Sequence, residues 1–151
     1  MDYLIHQLFT EEESNQLLEK ILIDNFSWMD GKKTAGEQAS KVKNNLQLDR
    51  ESKTSIDCSL AIRKKLISDP LIKSFSLPKE IHGIMFSRSG PGQGYGIHLD
   101  NPYMSSGRSD LSFTLFLSSS ESYQGGELCI QTMQEAKKFK LNAGEIIIYP
   151  S

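Results

Sequence analysis

Apolar residues recur at helical spacing near the start of the chain. Leu17, Leu18, Ile21 and Leu22 form one stripe. Thr10-Glu11-Glu12-Glu13 precedes it as a capping box, with Thr10 as N-cap and Glu13 at the third helical position. Residues 27–48 are polar and without a period, and Gly31 and Gly36 break them further, so they read as irregular. A second helix fits residues 52–68, with Ile56, Leu60 and Ile67 facing one way and Asp69-Pro70 as its stop. A short helical turn before Pro78 completes a helical flank over residues 1–78.

After Pro78 the period changes from helical to strand-like. Residues 81–88 read as a strand, and Ser89-Gly90-Pro91-Gly92-Gln93-Gly94 as a loop. Residues 95–100 alternate strictly. Residues 110–118 alternate too, with Leu111, Phe113, Leu115 and Leu117 on one face. Residues 126–132, 136–141 and 145–149 are the remaining strands. Tyr123-Gln124-Gly125-Gly126 and Asn142-Ala143-Gly144 suit hairpin connections. Two helices followed by five or six closely spaced antiparallel strands predict a mostly β sandwich or jelly roll with N-terminal helices. There is no internal repeat.

Composition narrows the class without changing the fold. A length of 151 residues fits one domain, residues 1–151, with its β core over 79–151. With 38% apolar and 24% charged residues, the chain is an ordinary globular sequence rather than a disordered or fibrous one. The net charge of −2 comes from 17 basic and 19 acidic residues without a basic patch, so neither nucleic acid nor an anionic membrane is an expected partner. Lys137, Lys138 and Lys140 read as a solvated strand edge. Met1-Asp2-Tyr3-Leu4-Ile5-His6 lacks the pattern of a signal peptide. The strongest apolar run, Ile146-Ile147-Ile148-Tyr149, is far too short to span a bilayer. Cys58 and Cys129 read as reduced thiols, and the expected location is cytoplasmic.

The chemistry concentrates in His98-Leu99-Asp100. On a strand, positions i and i+2 share a face, so His98 and Asp100 would stand side by side while Ile97 and Leu99 turn into apolar packing. An imidazole beside a carboxylate is two-thirds of the facial triad that holds non-haem Fe(II). The plainer reading is a strand-end histidine paired to an aspartate. A zinc hydrolase drawing a ligand from elsewhere has no specific support. His6 and His82 read as surface or packing residues. Arg88 faces either a pocket or solvent, Arg108 and Asp110 either order the 101–109 loop as a lid or are plain solvated charges, and Tyr95 and Tyr103 are candidates for the mouth of the pocket. Tyr95 alternates with His98 and is expected in the core.

The surrounding segments carry a resemblance. Val42-Lys43-Asn44-Asn45, Tyr95-Gly96-Ile97-His98-Leu99-Asp100, Arg108 through Ser118, Tyr123-Gln124-Gly125-Gly126-Glu127-Leu128 and Ala143 through Ser151 occur in one order and at familiar spacings. Together they resemble the Fe(II)/2-oxoglutarate dioxygenases of the prolyl/lysyl-hydroxylase type, specifically the PKHD-type hydroxylases. The resemblance implies a double-stranded β-helix (jelly roll) that binds Fe(II) and uses 2-oxoglutarate as cosubstrate, with ascorbate keeping the iron reduced. The reaction implied is hydroxylation of a C–H bond coupled to oxidative decarboxylation of 2-oxoglutarate. His98 and Asp100 match the first two iron ligands. The substrate, whether protein, peptide or small molecule, and the oligomeric state are not legible.

Two family positions have no match within 151 residues. The third iron ligand is a histidine a few residues beyond the segment matching Tyr149-Pro150-Ser151, and the arginine that pairs with 2-oxoglutarate lies about ten residues further. Ser89 stands where relatives often carry a tyrosine. The expectation is therefore a chain lacking its last strands, with an open apolar face, low stability and little or no turnover by itself. Two protein ligands hold Fe(II) weakly, and a buried cosubstrate carboxylate without its arginine is unpaired. The alternative is a non-catalytic, truncated jelly-roll module.

Overall fold

The capping box forms as expected: Thr10 N donates to Glu13 Oε2 at 2.9 Å, and Glu13 N donates to Thr10 Oγ1 at 3.1 Å. In the computed structural model, which describes residues 3–104 and 107–151, the first elements are β1 (Leu4–Gln7) and α1 (Glu11–Ile23). Then come β2 (Trp28–Asp30), a 3-10 turn (Gly31–Thr34), α2 (Glu37–Ser40), β3 (Lys43–Asn44) and β4 (Leu46–Leu48). Two helices follow, α3 (Lys53–Ser68) and α4 (Pro70–Ser76). The remainder is strand: β5 (Ser87–Arg88), β6 (Gly94–Tyr95), β7 (Tyr103–Met104), β8 (Gly107–Arg108), β9 (Leu111–Leu115), β10 (Leu128–Gln131), β11 (Ala136–Phe139) and β12 (Glu145–Pro150). Among the described residues the architecture is mostly β, with every helix in the N-terminal half. The chain divides into two compact units, Met1–Leu18 with Leu111–Pro150, and Glu19–Asp110 with Ser151.

The first unit is organised by β12. It lies between β1 and β9, antiparallel to both, with Ile147 opposite Ile5 on one side and Thr114 on the other. Ile146, Ile147 and Ile148 are all buried, so β12 is covered on both faces, which is why its sequence is a continuous apolar run. Ser14 on α1 is buried and donates to Leu117 O at 3.1 Å. β10 and β11 form a separate hairpin, with Leu128 opposite Phe139. The two predicted hairpin turns do other work. Residues 116–127 join β9 to β10, which lie in different sheets, and Asn142-Ala143-Gly144 joins β11 to β12 in the same way. Gly144 closes on the β1–α1 junction: its carbonyl accepts from Leu8 N at 3.0 Å and Phe9 N at 3.1 Å. Lys140 is not a free edge charge, since its ammonium donates to Tyr123 O at 2.7 Å and lies 4.4 Å from that ring.

In the second unit, α3 starts on Ser52, whose side chain accepts from Ser55 N, and ends at Asp69. Asp69 then caps α4, with Pro70 in its first turn. The buried face of α3 is Ser55, Cys58, Ile62 and Leu66, whereas the predicted stripe of Ile56, Leu60 and Ile67 is exposed. Both sets have near-helical spacing, and packing selects the one that contains a serine and a cysteine. The stretch over 27–48 is not irregular. It supplies β2, β3 and β4, and β4 runs between β2 and β5 with Trp28 opposite Leu48 and Leu46 opposite Arg88. The predicted strand over 81–88 is a ladder only at Ser87–Arg88, although Phe86 O accepts from Leu48 N at 3.0 Å.

Gly144 sets a stability test. It has φ +86°, and a Cβ there would lie 2.2 Å from Phe9 O. Gly144→Ala is expected to lower unfolding stability by about 1–3 kcal/mol, from strain and loss of that close approach. Urea denaturation followed by circular dichroism measures it, and an unchanged midpoint would refute the assignment.

Candidate functional site

His98 and Asp100 come together, but not by the predicted route. Only Gly94 and Tyr95 belong to a ladder, pairing with Asn44 and Lys43 of β3. Gly96 N adds one more bond, to Val42 O at 2.8 Å. A Cβ on Gly96 would lie 3.0 Å from Val42 Cβ, so the two backbones approach closely there. The chain then leaves the sheet, because His98 Nδ1 hydrogen-bonds Gly96 O at 2.8 Å. That local bond replaces a strand partner for the carbonyl. As a result Ile97 and Leu99 are 93% and 94% exposed, not packed into a core as the alternation predicts.

A carbonyl only accepts, so Nδ1 carries a proton and Nε2 is the nitrogen left to face Asp100. Nε2 lies 3.4 Å from Asp100 Oδ1, with both side chains partly buried. With Nε2 unprotonated, the imidazole turns a lone pair toward a carboxylate. Two donors side by side suit one cation, since cis ligands at about 2.1 Å from an octahedral ion lie about 3 Å apart. Donating the other ring nitrogen to a backbone carbonyl is also how a metal-bound histidine is usually oriented. The donor set therefore fits a mixed N/O metal such as Fe(II). Among the described residues, no group of three or more His, Cys, Asp and Glu side chains gathers as a metal site.

Two further residues connect to His98: Tyr95, which the sequence placed in the core, and Lys43, which it left without a role. Tyr95 stacks on the His98 imidazole, with centroids 3.7 Å apart and planes 9° from parallel. It is half-exposed rather than a core residue, and burial followed by the Asp100 charge pushes its phenol pKa up. Lys43, directly across the ladder from Tyr95, is buried with its ammonium 4.8 Å from the tyrosine centroid and 3.4 Å from Thr34 Oγ1. Burial is the main cause of its lowered pKa; the Arg50 charge adds to it and Asp30 opposes it. Lys43, Asn45 and Gln47 alternate along one buried face, and Asn45 Oδ1 has no hydrogen-bond partner among the described residues. The signal for Lys43 and Asn45 was the Val42-Lys43-Asn44-Asn45 segment, which local periodicity left without a role.

The structure gives the other candidates partners of their own. His6 stands in β1 opposite Ile146. His82 Nε2 hydrogen-bonds Arg108 O at 3.3 Å. The Arg88 guanidinium lies 6.0 Å from the Trp28 ring. Arg108 and Asp110 form an exposed ion pair at 2.5 Å. β7 and β8 pair antiparallel, with Tyr103 opposite Arg108 and Met104 opposite Gly107; the lid expected over 101–109 includes Ser105 and Ser106, which lie outside the described residues.

The comparisons with known proteins agree with this chemistry. Residues 84–151 match the model of the 2OG-Fe(II) oxygenase superfamily. PKHD-type hydroxylases from Prochlorococcus marinus strains MIT 9313 and MIT 9303 are each 64% identical over all 151 residues of this chain, which cover 68% of each relative. A third, from strain MIT 9211, is 60% identical over the same span. The chain belongs to the PKHD-type hydroxylase family. No helix among the described residues is long and apolar enough to cross a membrane.

The cysteines separate cleanly. Cys58 is buried, and burial chiefly pushes its thiol pKa up, with Asp57 adding and Lys20 opposing; Cys129 is exposed. A thiol-reactive disulfide reagent is expected to titrate one cysteine quickly in the native protein and the second only in denaturant. Cys129→Ser should abolish the fast phase. Two fast native thiols would contradict the burial of Cys58.

Proposed function

We propose that this chain is the Fe(II)- and 2-oxoglutarate-binding part of a hydroxylase acting on a C–H bond, built on a double-stranded β-helix. The observation that carries the reading is the His98 Nε2 to Asp100 Oδ1 pair with Nδ1 anchored on Gly96 O. His98 and Asp100 would hold the metal. When bound, Fe(II) with 2-oxoglutarate supplies O2 activation and the oxidising power for hydroxylation. The chain's own contribution is to present one imidazole nitrogen and one carboxylate oxygen on a short, tethered segment. Ascorbate would serve as reductant.

The third ligand and the arginine for 2-oxoglutarate belong, on this reading, to the part of the family length that residues 1–151 do not cover. Membership of the PKHD-type hydroxylases, whose relatives extend beyond the span that matches these 151 residues, supports this. The substrate is a protein, peptide or small molecule with an accessible C–H bond. Free Cys58 and Cys129 are in keeping with a reducing, cytoplasmic setting.

The test joins residues 1–151 to the C-terminal segment of the 64% identical MIT 9313 relative and measures succinate from 2-oxoglutarate with Fe(II), ascorbate and O2. The expected result is metal-dependent succinate release that falls to background in His98→Ala and Asp100→Ala. Residues 1–151 alone should release little. Equal release from the His98→Ala chimera would overturn the assignment, and no release from any chimera would favour a non-catalytic jelly-roll module.

A further inference from the structure

The buried Lys43 has no part in the reading above, and its surroundings are unusual. Lysine is seldom buried without a carboxylate partner. Here, among the described residues, its ammonium lies 3.4 Å from the Thr34 hydroxyl and 4.8 Å from the Tyr95 ring centroid, and the Asp30 carboxylate acts on it only as a charge. The near-parallel imidazole of His98 covers one face of Tyr95, and the Lys43 ammonium stands over the same ring 4.8 Å from its centroid. A cation over an aromatic face is attracted by the ring quadrupole, and the attraction grows when the cation is desolvated. The tyrosine ring thus contacts both a buried charge and the histidine.

The backbone repeats the connection. Lys43 and Tyr95 are ladder partners, and Gly96 N is bonded to Val42 O. Gly96 O in turn receives His98 Nδ1. The side-chain stack and the backbone relay both run from β3 to the same imidazole. The 3-10 turn backs this arrangement: a Cβ on Gly31 would lie 3.0 Å from Lys43 Cε and 2.0 Å from Asn45 Oδ1, so the turn packs directly against this part of β3.

We infer that Lys43 is a positioning residue, whose buried ammonium holds the Tyr95 ring as a platform and thereby fixes the plane and tautomer of His98 toward Asp100. The inference rests on the metal-site reading for its purpose but not for its geometry. Neutral Lys43→Met keeps most of the stem and removes the charge, a change that buried sites often tolerate. Tyr95→Leu removes the platform at a half-exposed position, and Tyr95→Phe restores it.

The experiment uses the metal-free 151-residue protein first. Ring-current shifts of the His98 Hδ2 and Hε1 protons, and long-range proton–nitrogen correlations for its tautomer, are read by NMR. The wild-type protein and Tyr95→Phe should show upfield ring protons and an Nδ1–H imidazole. Tyr95→Leu should lose the upfield shift, and Lys43→Met should weaken it and mix the tautomers. Co(II) is then titrated as the probe metal, with an expected loss of about tenfold in affinity for Lys43→Met and Tyr95→Leu. A folded Lys43→Met protein with wild-type His98 shifts and Co(II) affinity overturns the inference. If Co(II) binding is indifferent to His98→Ala, the metal-site reading fails, while the NMR comparison still decides whether Lys43 holds the ring.

Discussion

A 2.8 Å hydrogen bond between His98 Nδ1 and Gly96 O governs the site, because it decides which imidazole nitrogen is left for Asp100. It also ends the strand. A carbonyl engaged by a side chain two residues away is withdrawn from ladder pairing, so the chain turns out of the sheet just where the two candidate ligands begin. The bond forms only because Gly96 is itself anchored, through its N–H to Val42 O. The candidate ligands therefore hang from a two-residue ladder, and the quality of their geometry depends on how firmly β3 and β6 are joined.

That junction is built from polar residues in buried places. Lys43, Asn45 and Gln47 face inward from adjoining short strands, where an ordinary β core would carry aliphatic side chains. Burying such groups opposes folding unless each finds a partner. Gln47 does, donating to Ser87 Oγ at 3.4 Å, while Asn45 Oδ1 finds none among the described residues. The first unit follows the opposite rule. Its central strand carries Ile146, Ile147 and Ile148, all buried, and Gly144 lets the preceding turn close on the backbone of Phe9. Stability in one unit comes from apolar burial, and the other gives up apolar burial around the residues that bear the chemistry.

Much of the local structure was legible. Thr10 and Glu13 form their capping box because both halves of it lie within one turn. Asp69-Pro70 ends α3 and starts α4 because proline has no N–H to donate and its ring constrains the residue before it. The face of α3 was not legible. Ile56, Leu60 and Ile67 are more apolar than Ser55 and Cys58, but burial is decided by what the rest of the chain brings to the helix. The short strands over 27–48 were equally hidden. A two- or three-residue strand has no period to detect, and β3 and β4 exist only through partners more than ten residues away.

The sequence by itself determined that His98 and Asp100 are neighbours with the donor atoms of a metal pair, that the family segments surround them in order, and where the main helices begin. Those are matters of residue type and short spacing, which the chain carries locally. Only the tertiary structure decided that Tyr95 leaves the core to stack on His98, that Lys43 is buried behind it, and that Ile97 and Leu99 face outward. Each of these depends on the pairing of β3 with β6 across about fifty residues of intervening chain. No local pattern encodes that pairing, because the contacts that stabilise it exist only once both strands are in place.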